Sequence, residues 1–105
     1  MQEITAREAA DLLQNNPDTA VLLDVREPAE VLAAAVAGAV HIPMGEIPAR
    51  LSELDRHKTI VCMCHLGGRS AQVAAFLATQ GFSDVINMAG GIESWAADVD
   101  PGVQR

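Results

Sequence analysis

Cys62 and Cys64 are the chain's two cysteines, and the second opens the run Cys64-His65-Leu66-Gly67-Gly68-Arg69-Ser70. A thiol, an imidazole, a guanidinium, a hydroxyl and two glycines within seven residues are the parts of a nucleophilic site. Thr59-Ile60-Val61-Cys62-Met63 just before it is continuously apolar and reads as a buried strand. Ser70 to Gln80 reads as a helix with Val73, Phe76 and Leu77 facing inward. Cys64 therefore stands between a strand end and a helix N-terminus, and Gly67 and Gly68 let the intervening loop curl. A curled loop entering a helix turns successive N–H groups inward and forms a concave anion site. With a cysteine at its centre, the anion is the residue's own thiolate. Helix N-termini and nearby cations lower a thiol pKa from about 8.5 to roughly 3.5–7.5. Arg69 adds fixed positive charge near the rim, and His65 adds more at low pH. The expectation is Cys64 as nucleophile, cradled by His65, Leu66, Gly67, Gly68, Arg69 and Ser70.

Blander roles compete for some of these residues. Cys62, inside an apolar strand, reads as core. A disulfide between cysteines this close is strained. Two thiols and an imidazole lack a fourth metal ligand, and His41 and His57 stand alone, so neither metal nor cofactor is expected. Asp24 and Arg26 form a local structural ion pair, or Asp24 caps the next turn, or one of them lines the pocket, where its job is scaffolding. Arg69 either binds a donor's anionic group or pins the loop against a carboxylate. Trp95 reads as core packing.

The surrounding pattern supplies the frame. Thr5 and Glu8 form a capping box, with Ile4 stapled onto Ala9, for a helix to about Gln14. Ala20 to Val25 is a continuous apolar run, hence a strand covered on both faces. A short helix starts at Glu27-Pro28 and is broken at Gly38. Val40-His41-Ile42 is extended, and Gly45 to Leu54 reads as a helix with Ile47, Leu51 and Leu54 on one side. Gly81 stops the helix after the cysteine loop. Val85 to Met88 is a further strand, and Gly90-Gly91 leads into a last helix through Trp95. Alternating strands and helices predict an α/β domain with a parallel sheet and helices on both faces. Such sheets bind ligands at the carboxyl ends of their strands, where Asp24, Cys64 and Ala89-Gly90-Gly91 all fall.

Composition narrows the function. The 105 residues suit one domain, with 98–105 read as a loose tail. Seven Lys+Arg against 14 Asp+Glu give a formal charge of -7, without the basic cluster a nucleic-acid binder needs. The same charge disfavours an anionic membrane surface. The longest apolar run, Val31 to Val40, is too short to span a bilayer. The start Met1-Gln2-Glu3 lacks the pattern of a signal peptide. A cytoplasmic location is expected, and it suits free thiols.

Four segments in order resemble the single-domain rhodanese family of sulfurtransferases. They are Leu22-Leu23-Asp24-Val25-Arg26-Glu27-Pro28, Gly38-Ala39-Val40-His41-Ile42-Pro43, the Cys64 to Ser70 loop, and Asn87-Met88-Ala89-Gly90-Gly91-Ile92-Glu93-Ser94-Trp95. The resemblance implies a rhodanese-like sheet of about five parallel strands, including a short first strand near Glu3-Ile4. It implies that Cys64 carries a sulfane sulfur as a persulfide between a thiosulfate-like donor and a thiophilic acceptor: cyanide in vitro, a thiol or protein in the cell. The alternatives are a persulfide carrier, or a recognition domain, serving a protein partner with little small-molecule turnover. Phosphatases that share the fold have a loop one residue longer between Cys and Arg; here Arg69 stands at the sulfurtransferase position and Ser70 at the phosphatase one. Where relatives carry a histidine before the Gly-Ala-Val, this chain has Ala34-Ala35-Val36-Ala37, a stretch expected to border the site.

Overall fold

The computed structural model describes residues 2–103. Five strands form one parallel sheet: β1 (Gln2–Ile4), β2 (Ala20–Asp24), β3 (Val40–His41), β4 (Thr59–Met63) and β5 (Val85–Met88), in the order β1-β5-β4-β2-β3. Four helices join them: α1 (Ala6–Asn15), α2 (Pro28–Ala33), α3 (Gly68–Thr79) and α4 (Gly91–Asp98). The chain leaves β2 toward one edge and β4 toward the other. The carboxyl ends of these two neighbours therefore flank the topological switch point, where open α/β sheets hold their ligands.

Alternation along the strands builds a core on each face. Ile60, Cys62 and Cys64 join Leu23 and Val25 under Val73, Ala74 and Leu77 of α3. Val61 and Met63 join Leu22, Ile86 and Met88 under Ala6 and Ala9 of α1 and Ile92 and Trp95 of α4. Strands buried on both faces need apolar residues at every position, which is why β2 and β4 are continuous runs. The capping box at the start of α1 is present, with the Thr5 hydroxyl accepting from Glu8 N–H and the Glu8 carboxylate from Thr5 N–H.

Three elements depart from the sequence expectation. α2 ends at Ala33, five residues before Gly38; Ala34 is extended, and its carbonyl accepts from Arg26 Nη2 at 2.7 Å. α2 buries no residue, so packing does not extend it, and the guanidinium satisfies the chain where it leaves the helix. The segment read as a helix from Gly45 to Leu54 is instead two 3₁₀ turns, Met44–Glu46 and Pro48–Glu53. Pro48 has no N–H to continue an α-helical ladder, so Ile47 and Arg50 close tight i→i+3 bonds around it. Ile47 and Leu54 are nonetheless buried, with Leu51 packed against the same core. The expected loose tail is attached through residue 103: Asp98 belongs to α4, Val99 and Asp100 N–H donate to the Trp95 carbonyl, and Val103 packs on the second core. Residues 104 and 105 lie outside the described residues. Among the described residues no helix is long and apolar enough to cross a membrane.

Candidate active site

Cys64 follows the last residue of β4, and α3 begins at Gly68, two residues earlier than expected. The loop is thus nearly all first turn, and the free N–H groups of a helix N-terminus form its floor. Gly67 makes the bend at φ +114°, a backbone conformation that disfavours any side chain, and a Cβ there would press on Gly90 N–H at 3.3 Å. The second contact is tighter. Gly91, at φ +56°, lies against the carbonyls of Cys64 and His65, and a Cβ there would overlap both. Ile92 N–H donates to the Cys64 carbonyl at 2.9 Å, so the β5–α4 turn clamps the loop from below.

The thiol sits inside this cup. Gly67 N–H donates to Cys64 Sγ at 3.0 Å, and Ser70 Oγ lies 3.3 Å from it. Cys64 is only 1% exposed, and burial pushes its pKa up. The Ser70 hydroxyl and the N–H groups of Ser70, Gly67 and Leu66 outweigh that penalty, so the net shift is below the ordinary thiol value. Cys62, on the same face of β4, has no such donors; burial, helped by the neighbouring Cys64, pushes it up to about 12. Two residues apart, the two thiols are thus shifted in opposite directions.

The side chains of Arg69 and His65 are hydrogen-bonded away from the sulfur. Arg69 Nη1 and Nη2 grip Glu30 Oε1 and Oε2 at 2.7 and 2.8 Å, tying α3 to α2. That bidentate pair, partly offset by burial, holds the Glu30 carboxyl down at about 2. His65 Nε2 lies 2.9 Å from Glu93 Oε1 on α4. The pairing of Arg69 with a carboxylate is the second of the two roles the sequence allowed, and Glu30 is the carboxylate the sequence did not identify.

Asp24 and Arg26 form a buried ion pair, Nη2 to Oδ2 at 2.8 Å and Nε to Oδ1 at 3.0 Å. Arg26 also reaches the carbonyls of Glu30 and Ala34. One guanidinium thus anchors the turn after β2 and both ends of the α2 exit. Arg26 lines a cleft of about 190 Å³ together with Glu30, Ala33, Ala34, His65 and Ile92. The ion pair is present, and Asp24 Oδ1 also accepts from Arg26 N–H at 3.1 Å and so caps the turn. Of the alanine stretch, Ala34 lines this cleft.

Sequence reasoning missed Asn87. It is buried at the end of β5, accepts from Ser70 Oγ at 2.6 Å through Oδ1, and donates from Nδ2 to Glu3 Oε2 and the Gly67 carbonyl. The available signal was a polar residue inside the apolar strand Val85-Ile86-Asn87-Met88.

A five-stranded parallel sheet flanked by helices is the architecture the sequence resemblance implied, and comparison with known proteins agrees. The profile of the rhodanese-like domain matches residues 5–98, and the chain belongs to that family. A protein of Allochromatium vinosum named sulfurtransferase is 36% identical over 96 residues, covering 91% of this chain and 89% of its own. The thiosulfate sulfurtransferase GlpE of Pseudomonas fluorescens is 40% identical over 76 residues, 72% of this chain and 70% of its own. Among solved structures, a rhodanese-related protein from Thermoplasma volcanium superposes with a TM-score of 0.83 at 32% identity, covering 99% of this chain and 98% of its own. These relatives support sulfur transfer of the rhodanese type.

Proposed function

We propose that the protein moves a sulfane sulfur from a thiosulfate-like donor to a thiophilic acceptor through a persulfide on Cys64. The supporting observation is the environment of Cys64: a thiol lowered below its ordinary pKa by amides and a hydroxyl, although it is buried. The Cys64 thiolate attacks the outer sulfur of thiosulfate. A new S–S bond forms on Cys64, the donor's S–S bond breaks, and sulfite leaves with the bonding pair. The loop amides that favoured the thiolate then hold the persulfide. An acceptor attacks the outer sulfur and releases Cys64 as thiolate, giving ping-pong kinetics. Cyanide would leave as thiocyanate; in the cell a thiol or a protein takes the sulfur. A sulfur at 1% exposure suits a donor that presents a single terminal atom. The two free cysteines suit work in the reducing cytoplasm.

Leu66, 66% exposed at the tip of the same loop, favours a second reading. There the domain is a persulfide carrier, and a protein acceptor docks over the loop. A thiosulfate:cyanide assay on wild type and Cys64→Ala tests both. Thiocyanate production that requires Cys64 supports the enzyme; a stable persulfide with slow turnover supports the carrier. Production that persists in Cys64→Ala refutes both.

A further inference from the structure

Ser70 Oγ has one proton and three acceptors within reach. Asn87 Oδ1 is nearest at 2.6 Å, with the Gly67 carbonyl at 3.2 Å and Cys64 Sγ at 3.3 Å. A hydroxyl donates once, so its bond to the sulfur and its bond to Asn87 are alternatives. The Asn87 amide cannot turn to avoid the conflict. Its Nδ2 donates to Glu3 Oε2 at 2.9 Å and to the Gly67 carbonyl at 3.3 Å, which fixes Oδ1 toward Ser70. Asn87 is also buried, so an Oδ1 that loses its donor finds little solvent to replace it.

We propose that Asn87 is a positioning residue: its amide oxygen competes with the Cys64 sulfur for the single Ser70 proton and so limits how tightly the thiolate is held. With Cys64 protonated, its S–H faces Ser70 Oγ, and the hydroxyl proton rests on Asn87 Oδ1. When the thiol proton leaves to solvent, the hydroxyl turns to the sulfur and Asn87 Oδ1 gives up its donor. Once the sulfur attacks and its charge moves to the outer atom of the persulfide, the hydroxyl returns to Asn87. A thiolate held too tightly is a poor nucleophile, since nucleophilicity falls with pKa. The competition therefore works against ionisation by a small amount and leaves the thiolate that does form more nucleophilic. Glu3, on the exposed edge of β1, completes the relay by polarising the amide from its far side.

This inference rests on Cys64 acting as the thiolate nucleophile, and its test needs no sulfur donor. The rate of Cys64 alkylation is followed against pH, with the labelled peptide identified by mass. The other titratable or charged groups around the sulfur are Cys62 on β4, His65 with Glu93 on α4, and Arg69 with Glu30 on α2; the substitutions leave all of them in place. Asn87→Leu is expected to lower the midpoint of the alkylation curve by about 0.5–1 pH unit, the range of one neutral hydrogen bond. In a Ser70→Ala background the same substitution is expected to leave the midpoint unmoved. A residue that merely braces the Gly67 turn gives the opposite pattern: Asn87→Leu raises the midpoint, and does so with or without Ser70. That result overturns the proposal. Should Asn87→Leu not fold, Glu3→Gln on the exposed strand gives a second reading. A fall in midpoint with Ser70 present that shrinks in Ser70→Ala supports the relay; equal falls in both backgrounds reduce Glu3 to a distant charge and overturn it. Failure of Cys64 to take sulfur, with these curves as expected, would refute the transfer reading and leave the proton competition standing.

Discussion

Arg69 and Glu30 meet in a two-point contact, Nη1 to Oε1 at 2.7 Å and Nη2 to Oε2 at 2.8 Å, across the junction of α3 and α2. The loop's permanent cation is thereby committed to a helix on the far side of the cleft. Hydrogen bonds to the sulfur come from backbone N–H groups and one hydroxyl, while Arg69 acts on it only through its charge. Amides fixed by a helix turn need no reorganisation when charge moves along a persulfide, whereas a mobile cation would have to follow it. The ion pair ties α3 to α2 beside the cup.

Glu30→Gln tests the pair. Both side chains are about one-third exposed, so the expected loss is moderate, about 1 kcal/mol in urea unfolding at pH 7. The pH dependence carries the signature. The pair holds the folded carboxyl down at about 2 against an ordinary 4.5, so the wild-type contribution is full above 4.5 and fades as pH falls toward 2. The variant should lack that part of the acid slope, and an unchanged slope would count against the pair.

Asp24 and Arg26 are both buried, so removing one leaves the other as an uncompensated charge. Arg26→Ala is expected to destabilise by about 3–5 kcal/mol in denaturant titration, with the α2 exit loosened. A loss below 1 kcal/mol would show that the pair does not anchor the turn.

Gly91→Ala should disable the loop without touching a reactive group. The new Cβ would overlap the Cys64 and His65 carbonyls at a positive φ, so the β5–α4 turn must shift away. Loss of about 2–4 kcal/mol, or a tenfold or greater fall in Cys64 alkylation rate, is expected. Wild-type stability together with wild-type reactivity would contradict the clamp.

Cys62→Ala should leave sulfur transfer intact. Its thiol is pushed up to about 12, chiefly by burial, and carries no thiolate near neutral pH. Alkylating agent at pH 7 should label Cys64 alone. The substitution should cost about 1–2 kcal/mol of stability for the small cavity left behind. Loss of turnover in a folded Cys62→Ala protein would mean the second thiol takes part.

The frame was legible in the sequence because its signals are local. β4 and β5 carry the bounds read from their apolar runs, and the α1 capping box was visible in Thr5 and Glu8. The site was legible as a loop, since a cysteine, two glycines, an arginine and a serine lie next to one another. What escaped was the identity of the side-chain partners between distant segments. Glu30 meets Arg69 across 39 positions, Glu93 meets His65 across 28, and Asn87 meets Ser70 across 17. No periodicity encodes such pairs; they exist once the sheet order places the ends of β2, β4 and β5 side by side. The division of the Gly45 to Leu54 helix into two 3₁₀ turns has a local cause that was visible, Pro48, but the inward side chains Ile47 and Leu54 satisfy either geometry.

The most direct measurement is the intact mass of the reduced protein after brief exposure to thiosulfate, followed by peptide mapping. The account predicts a gain of one sulfur atom, located on Cys64 and removed by cyanide. An unchanged mass, or a sulfur carried by Cys62, would contradict it.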